Sequence, residues 1–244
     1  MVIINTLKFN DVTLKFGGIT ALNNVSFEVR PKTLYAIIGP NGAGKTSIFN
    51  CISGIYRPSE GSVTYGEQDI KNLRPDEIAE LGIARTFQNI ELFENMTVLD
   101  NILIGAHRHL NYGPISSIFF TKKTRDIEQK ARKIAEDIID FLEIEQFRYS
   151  YIMSLPYGVQ KRVEIGRALA MDPEILLLDE PAAGLDTAES QTLGGHLREF
   201  LNHNMSVFLI DHDMGLVLSV CDYIYVLDFG KIIAAGTPAE IRDS

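Results

Sequence analysis

Residues 35–47 read Tyr-Ala-Ile-Ile-Gly-Pro-Asn-Gly-Ala-Gly-Lys-Thr-Ser, a short apolar run followed by a glycine-rich loop. Its apolar start, residues 36–38, predicts a buried strand, and the residues from Ser47 onward predict a helix. The loop between them has the pattern G-x-x-x-x-G-K-[ST]. Glycines let backbone N–H groups approach phosphate oxygens, and a helix N-terminus attracts negative charge. We call residues 39–47 the phosphate loop; a glycine-rich turn with a chance lysine is the alternative.

The phosphate loop supplies most of the residues that we expect to bind ATP. The ammonium of Lys45 would contact the β- and γ-phosphates, and the hydroxyl of Thr46 would join the oxygen shell of a magnesium ion. The residues expected to line the nucleotide here are Gly39, Pro40, Asn41, Gly42, Ala43, Gly44, Lys45, Thr46 and Ser47.

Length, charge and cysteine content narrow the class of protein. A chain of 244 residues can form one elaborated α/β domain, and a net charge of −9 without a basic stripe argues against a nucleic-acid partner. Cys51 and Cys221 form no C-x-x-C pair, which favours reduced thiols in a cytosolic protein. The sequence shows neither an apolar run of membrane-spanning length nor a signal-peptide layout. Any link to a membrane is therefore expected to go through partners.

Residues 7–29 alternate apolar and polar side chains in short runs, which predicts antiparallel strands. Phe16 lies just before Gly17 and Gly18, where a turn could expose its ring beside the nucleotide. An aromatic face in that position could stack on adenine. The alternative is that Phe16 is a core aromatic at the end of a strand.

Two further apolar runs end in side chains that suit phosphate chemistry. Residues 175–178 are followed by Asp179 and Glu180, and residues 207–210 are followed by Asp211 and His212. In open parallel sheets ligands bind at the carboxyl ends of the strands. Asp179 suits the magnesium shell, Glu180 suits a general base for the attacking water, and His212 could contact the γ-phosphate. A helix N-cap pair and an ordinary loop histidine are the alternatives.

Residue Gln88 ends a third apolar segment, residues 82–87, and its side-chain carbonyl could reach magnesium or a water molecule. A solvated loop glutamine is the default interpretation. From residue 89 the pattern becomes helical, which predicts an inserted α-helical subdomain over residues 89–164. Residues 1–88 and 165–244 would then form the α/β core with its antiparallel sheet, within a single domain of residues 1–244. The pattern gives no reason for the adjacent Gly194 and Gly195 inside a predicted helix.

The order of these motifs resembles the nucleotide-binding subunit of ABC transporters over nearly the whole chain. The resemblance implies a P-loop NTPase core of the RecA-like kind, with Phe16 as the aromatic that stacks on adenine. It also implies that Gln88 couples the nucleotide to a membrane partner, and it assigns a D-loop to Gly184, Leu185 and Asp186.

The signature segment departs from the family pattern. The family has Leu-Ser-Gly-Gly-Gln, whereas residues 155–159 read Leu-Pro-Tyr-Gly-Val. Tyr157 and Gly158 therefore occupy the positions expected to meet the γ-phosphate of an opposite subunit, without the usual hydroxyl. This version, followed by Gln-Lys-Arg-Val-Glu-Ile-Gly-Arg-Ala-Leu, resembles the ATPases of branched-chain amino-acid importers, as do residues 84–88.

The resemblance implies an ATP hydrolase that works with Mg²⁺ and drives import of a small solute. Its implied partners are a second ATPase subunit, equal or different, a membrane permease and, indirectly, an extracytoplasmic solute-binding protein. The expected location is cytoplasmic, attached to the inner face of the membrane through the permease. The alternatives are an ATPase for another cargo and a soluble ABC-type ATPase, for example in iron–sulfur assembly. A P-loop kinase does not explain Gln88 together with His212, and no Asn-Lys-x-Asp motif of a GTPase is present.

Overall fold

The computed structural model describes residues 5–87, 90–106 and 122–243. Its contacts divide the chain into two compact units, one of Met1–Arg85 with Glu174–Ser244 and one of Thr86–Pro173. The predicted boundary at residues 164–165 falls inside the helix Tyr157–Leu169, which belongs whole to the second unit. Gln88 lies outside the described residues.

Three strands precede the phosphate loop, and helices and strands are mixed along the rest of the chain. The strands are β1 (Leu7–Phe16), β2 (Ile19–Val29), β3 (Leu34–Ile38), β4 (Glu60–Tyr65), β5 (Gln68–Asp69), β6 (Ile83–Arg85), β7 (Ile175–Asp179), β8 (Ser206–Ile210), β9 (Tyr223–Asp228) and β10 (Lys231–Gly236). The described helices are α1 (Lys45–Ile52), α2 (Pro75–Glu80), α3 (Val98–Gly105), α4 (Lys122–Phe141), α5 (Tyr157–Leu169), α6 (Thr187–Asn202), α7 (Met214–Val220) and α8 (Pro238–Arg242).

The first unit contains two sheets. One has the order β2-β1-β4-β5 and is antiparallel throughout, which confirms the prediction for residues 7–29. The other has the order β10-β9-β3-β8-β7-β6, and all its strands are parallel except the edge strand β10. Strands β7 and β8 are buried at every residue, as expected for central strands of a parallel sheet. The α/β fold class is confirmed.

The core of the first unit joins the two sheets through aromatic side chains. Phe9 and Phe27 stack across β1 and β2 with ring centroids 4.5 Å apart. The ring of Phe27 also packs against that of Phe208 on β8, with centroids 5.5 Å apart, and the ring of Phe208 packs against that of Phe49 on α1, with centroids 5.3 Å apart. The helix behind the phosphate loop is thus packed directly against the strand that carries His212 at its end.

The second unit is helical and has its own core. Helices α3, α4 and α5 bury apolar residues that include Ile102, Ala135 and Val163. Helices α3 and α5 approach closely at Gly105, where a Cβ atom would lie 2.0 Å from the carbonyl oxygen of Arg167. Among the described residues, no helix combines the length and the apolar character needed to cross a membrane.

Candidate functional site

The predicted strand ends meet at one edge of the parallel sheet. Strand β8 lies between β3 and β7, with Ile210 opposite both Ile37 and Asp179. The N–H of Glu180 donates to the carbonyl of Ile210 at 2.7 Å, so the two chain segments leave the sheet side by side. The phosphate loop, Glu180 and His212 therefore follow neighbouring strands at the same level.

The phosphate loop is arranged to receive an anion. Lys45 is buried, and its Nζ donates to the carbonyl oxygens of Gly39 at 2.7 Å and Pro40 at 3.0 Å. Burial lowers the pKa of Lys45, while the carboxylates of Glu180 and Asp179 oppose this shift. Helix α1 begins here without a side-chain cap, so its first N–H groups suit a phosphate.

Glycines shape the loop, and the β9–β10 hairpin supports it. Gly42 has φ +82°, and a Cβ atom added to it would meet no atom within 4 Å. Space for a ligand is therefore present beside this backbone segment. On the other side, the N–H of Gly230 in the hairpin turn donates to the carbonyl of Ala43 at 2.8 Å, which fixes the loop to the sheet.

Glu180 and His212 are in direct contact. The Nε2 atom of His212 lies 3.0 Å from Oε1 of Glu180, and the two side chains are 45% and 19% exposed. Glu180 has φ +51°, a left-handed conformation that is unfavourable for a residue with a Cβ atom. Neither side chain is an N-cap or an isolated loop residue. Two polar side chains this close together could hold a water molecule at the sheet edge.

Asp179 is buried beside the cation of Arg85, which the sequence pattern does not single out. Nη2 of Arg85, at the end of β6, donates to Oδ2 of Asp179 at 2.9 Å. Burial lowers the pKa of Arg85, and its hydrogen bond with Asp179 opposes this shift. The sequence offered only a charged residue at the end of an apolar segment, and the pairing of β6 with β7 that brings it to Asp179 is seen in the structure alone.

The residue types present fit a magnesium ion that is shared with a nucleotide. Thr46 and Asp179 offer the hard oxygen ligands that this ion prefers. Within the part of the chain that the structure describes, no three His, Cys, Asp or Glu side chains gather as a metal site. The remaining ligands of a magnesium ion would therefore be phosphate oxygens and water. Gln88, the third predicted ligand, lies outside the described residues.

Phe16 lies at the end of β1 and is 46% exposed. Its ring packs against that of Tyr56 in a T-shaped arrangement, with ring centroids 5.0 Å apart and ring planes at 74°. This exposure does not agree with the alternative of a core aromatic. It leaves ring surface that a nucleobase could cover.

The predicted D-loop connects Glu180 to helix α6. Gly184 adopts φ +79°, and Asp186 accepts from the N–H of Glu189 at 2.8 Å, capping α6. The carboxylate of Asp211 reaches the same segment, accepting from the N–H of Ala182 at 3.0 Å. Burial raises the pKa of Asp211, although backbone N–H groups on its oxygens act in the opposite direction. Asp211, to which the sequence pattern assigns no role, thus joins the segments before and after α6.

In the second unit, Tyr157 and Gly158 form the first turn of α5. Tyr157 is 45% exposed, and Nζ of Lys161 lies 5.9 Å from the centre of its ring. Gly158 is buried. Pro156 takes the N-cap position without a side-chain hydrogen bond, so the helix start lacks the hydroxyl that a serine would bring.

A protein-family model described as "ABC transporter" matches residues 22–183, a span that includes the phosphate loop, Glu180 and the whole second unit. The chain belongs to the ABC transporter family. Among its relatives is the high-affinity branched-chain amino acid transport ATP-binding protein LivG of Salmonella typhimurium, 41% identical over 239 residues, covering 98% of this chain and 94% of LivG. BraF of Pseudomonas aeruginosa, with the same description, shows the same identity and coverage.

Solved structures of ABC transporter cassettes show the same fold. The ADP conformation of MJ1267, an ATP-binding cassette of an ABC transporter, superposes with a TM-score of 0.85 at 34% identity, covering 98% of this chain and 94% of that one. A dimeric, post-hydrolysis state of the cassette MJ0796, bound to ADP and phosphate, gives a TM-score of 0.80 at 26% identity, covering 95% and 98%. These likenesses confirm the fold class predicted from the motifs.

Proposed function

We propose that this chain is the ATP-hydrolysing subunit of an importer for branched-chain amino acids. The observation that supports it most is the meeting of the phosphate loop, Glu180 and His212 at one sheet edge, with Glu180 and His212 3.0 Å apart. Membership of the ABC transporter family supports the same proposal, because the family model covers the phosphate loop and Glu180.

The phosphate loop would bind the triphosphate of ATP. Helix α1 starts without a side-chain cap, the backbone at Gly42 has open space beside it, and Lys45 brings a positive charge to the same loop. Thr46 and Asp179 would hold Mg²⁺ together with phosphate oxygens. When bound, that ion would offset the negative charge of the phosphates during transfer. Phe16 would cover the adenine.

Glu180 would act as general base on the attacking water. Its carboxylate stands at the end of β7, one residue after the proposed magnesium ligand, and His212 holds one of its oxygens. The base would accept the proton as the water oxygen attacks the γ-phosphorus and the bond to the β-phosphate oxygen breaks. His212 orients the carboxylate and can donate to the terminal phosphate.

A second ATPase subunit would complete the site. The segment led by Tyr157 and Gly158 would cover the γ-phosphate of the opposite subunit, and Gly184 to Asp186 would lie near the same interface. ATP then favours a closed dimer because it binds that state better than the open one, and hydrolysis reverses this preference. MJ0796, at 26% identity, is a dimer in its post-hydrolysis structure.

The second unit would contact the permease through Phe93. This ring is 52% exposed, although the backbone that carries it is firmly held. The buried Asn101 accepts from the N–H of Phe93 at 2.9 Å and donates to its carbonyl at 3.1 Å. Leu92 instead packs against the core of the unit. An exposed aromatic on a fixed backbone suits docking, so Phe93 is the contact residue and Leu92 its support.

The cargo and location follow from the relatives. LivG and BraF are described as branched-chain amino acid transport ATP-binding proteins, so the same solutes are proposed here. The solutes would reach the permease from an extracytoplasmic solute-binding protein. The chain would sit at the inner face of the membrane, held there by the permease.

Replacement of Glu180 by glutamine tests the hydrolytic part of the proposal. Glu180→Gln keeps the size of the side chain and an oxygen for His212, so ATP affinity should stay within a few fold. Hydrolysis should fall by about 10²–10⁴-fold, the usual contribution of a general base. The exposed Glu199→Gln in α6 is the matched control and should retain full turnover. Near-normal hydrolysis by Glu180→Gln would remove Glu180 from this role.

Reconstitution tests the transport part. Native membranes solubilised in detergent should yield this chain bound to a polytopic permease. Proteoliposomes of that complex should take up leucine only when ATP is present on the side of the membrane where this chain lies. Recovery of the chain as a soluble ATPase without any membrane subunit would instead favour the soluble alternative.

A further inference from the structure

Arg85 connects the proposed magnesium ligand to the helix of the phosphate loop. Its Nη2 donates to Oδ2 of Asp179 at 2.9 Å, and its Nη1 donates to Oδ1 of Asn50 at 2.7 Å and to Oγ of Ser53 at 2.9 Å. Asn50 is in α1, and Ser53 is the C-cap residue of that helix. One guanidinium therefore fixes the end of β7 relative to the helix that Lys45 begins.

The ion pair between Arg85 and Asp179 is almost fully removed from solvent. The side chains are 7% and 2% exposed. The ring of Phe49 covers another side of the guanidinium, with Cζ 5.5 Å from the ring centre. An ion pair in such surroundings is little screened by salt, and loss of one partner leaves a buried charge without compensation.

The cation of the phosphate loop, Lys45, is held by backbone carbonyl oxygens. Nζ of Lys45 donates to the carbonyl oxygens of Gly39 and Pro40, and no ion pair between Lys45 and Asp179 is found among the described residues. Arg85 is thus a cation in direct hydrogen-bonded contact with Asp179.

We propose that Arg85 is a positioning residue of the magnesium–nucleotide site: it is the counter-ion that holds the buried carboxylate of Asp179 in place before magnesium and ATP bind. This inference rests on the proposed function of Asp179. A divalent cation beside Asp179 is repelled by the guanidinium, so Arg85 stabilises the metal-free protein more than the metal-bound protein. It thereby weakens magnesium binding while it keeps the ligand oriented.

Thermal unfolding of the full chain with ADP, at increasing Mg²⁺ or with EDTA, tests the inference without any turnover. Arg85→Met removes the charge and keeps an unbranched side chain. It should unfold at a lower temperature in EDTA and be stabilised more by Mg²⁺ than the unmodified protein. Its half-saturating Mg²⁺ concentration should fall about tenfold, the equivalent of about 1.4 kcal/mol.

Two further variants separate this role from a structural one. Arg198→Met removes the ion pair with Asp222 at 2.6 Å, which is outside the site, and should lower stability equally with and without Mg²⁺. Arg85→Lys keeps the charge but cannot span Asp179 and α1 with one ammonium, so it should lose stability while the half-saturating Mg²⁺ stays within about twofold.

The outcomes distinguish the inference from the proposed function. If Asp179→Asn does not raise the Mg²⁺ requirement, the magnesium role of Asp179 is wrong. If it does, and Arg85→Met loses the same stability with and without Mg²⁺ or binds Mg²⁺ more weakly, only the inference on Arg85 is wrong. Should Arg85→Met not fold in EDTA, Mg²⁺ with ADP should recover its folding, and failure to do so also overturns the inference.

Discussion

Replacement of Gly39 by alanine should disrupt the junction between β3 and the phosphate loop. Gly39 has φ +150°, and a Cβ atom there would lie 2.0 Å from the carbonyl oxygen of Leu227 on β9. Ordinary contact begins near 3.4 Å, so the strand backbone would have to move by about 1.4 Å. Backbone strain of about 1–3 kcal/mol and overpacking of about 1–3 kcal/mol together predict a loss of about 2–6 kcal/mol in unfolding free energy.

Gly42→Ala is the matched control, because it lies in the same loop with a different environment. Its φ of +82° is also unfavourable for alanine, but the added Cβ atom would meet no atom within 4 Å. The stability loss should therefore be only about 1–2 kcal/mol. The methyl group would instead enter the space proposed for the phosphates, so affinity for ATP should fall at least about tenfold.

Urea unfolding followed by circular dichroism gives the stabilities, and fluorescence of a labelled ATP analogue gives the affinities. Gly39→Ala should show the larger loss of stability, whereas Gly42→Ala should retain most of its stability and bind the analogue poorly. Equal stability of the two variants would contradict the close contact with Leu227. An unchanged affinity in Gly42→Ala would contradict the position of the phosphates.

Three other expectations concern residues outside the phosphate loop. In α6, Gly195→Ala should raise the free energy of unfolding by about 0.5–1 kcal/mol through helix propensity, because its Cβ atom would meet open space. Gly194→Ala should bring no such gain, because its Cβ atom would lie 3.0 Å from the side chain of Val220. Urea unfolding of the two variants compares them. Burial raises the pKa of Glu164 in the folded protein above the unfolded value of about 4.5. The contribution of Glu164 to the free energy of unfolding should therefore fall as pH rises from about 4.5 through the raised folded pKa. Glu164→Gln should remove that fall. If the free energy of unfolding depends on pH between about 4 and 8 in the same way in Glu164→Gln and in the unmodified protein, the expectation for Glu164 is wrong. Phe93→Asp should leave ATP binding intact and uncouple hydrolysis from leucine uptake in proteoliposomes; normal coupling would refute the docking role.

The positions of Gly39, Glu180 and His212 could be predicted because they depend on a simple rule of sheet geometry. Buried apolar runs of strand length predict parallel strands, and the carboxyl ends of such strands meet at one edge. Order along the sheet was not needed for this prediction. The contact of 3.0 Å between Glu180 and His212, however, requires that β7 and β8 be neighbours, which the structure shows.

The role of Arg85 could not be predicted, because its partner Asp179 is 94 positions away in the chain. Sequence patterns report local periodicity, and a charged residue at a strand end is equally compatible with solvent. The start of α5 at Tyr157 is hard to predict for a related reason, because its first two turns bury the charged Lys161 and Glu164 beside the apolar Val159.

Tertiary packing explains why one of the two adjacent glycines, Gly194 and Gly195, is needed inside helix α6. Gly194 faces Val220 and Leu216, with a Cβ atom expected at 3.0 and 3.1 Å from their side chains, so it allows α6 to lie close to α7. Gly195 has open space around it. The two neighbours look alike in sequence, and only the tertiary contacts separate them.

The backbone of Glu180 shows why the site departs from what local propensity favours. A glycine would adopt φ +51° without strain, and the carboxylate side chain adds about 1–2 kcal/mol of unfavourable backbone energy. The hydrogen bond from its N–H to Ile210 at 2.7 Å and the contact with His212 hold the residue in this conformation. Stability alone does not select glutamate at such a position. A carboxylate fixed at the end of β7 is required by the proposed general-base chemistry, and the strain is the consequence of placing it there.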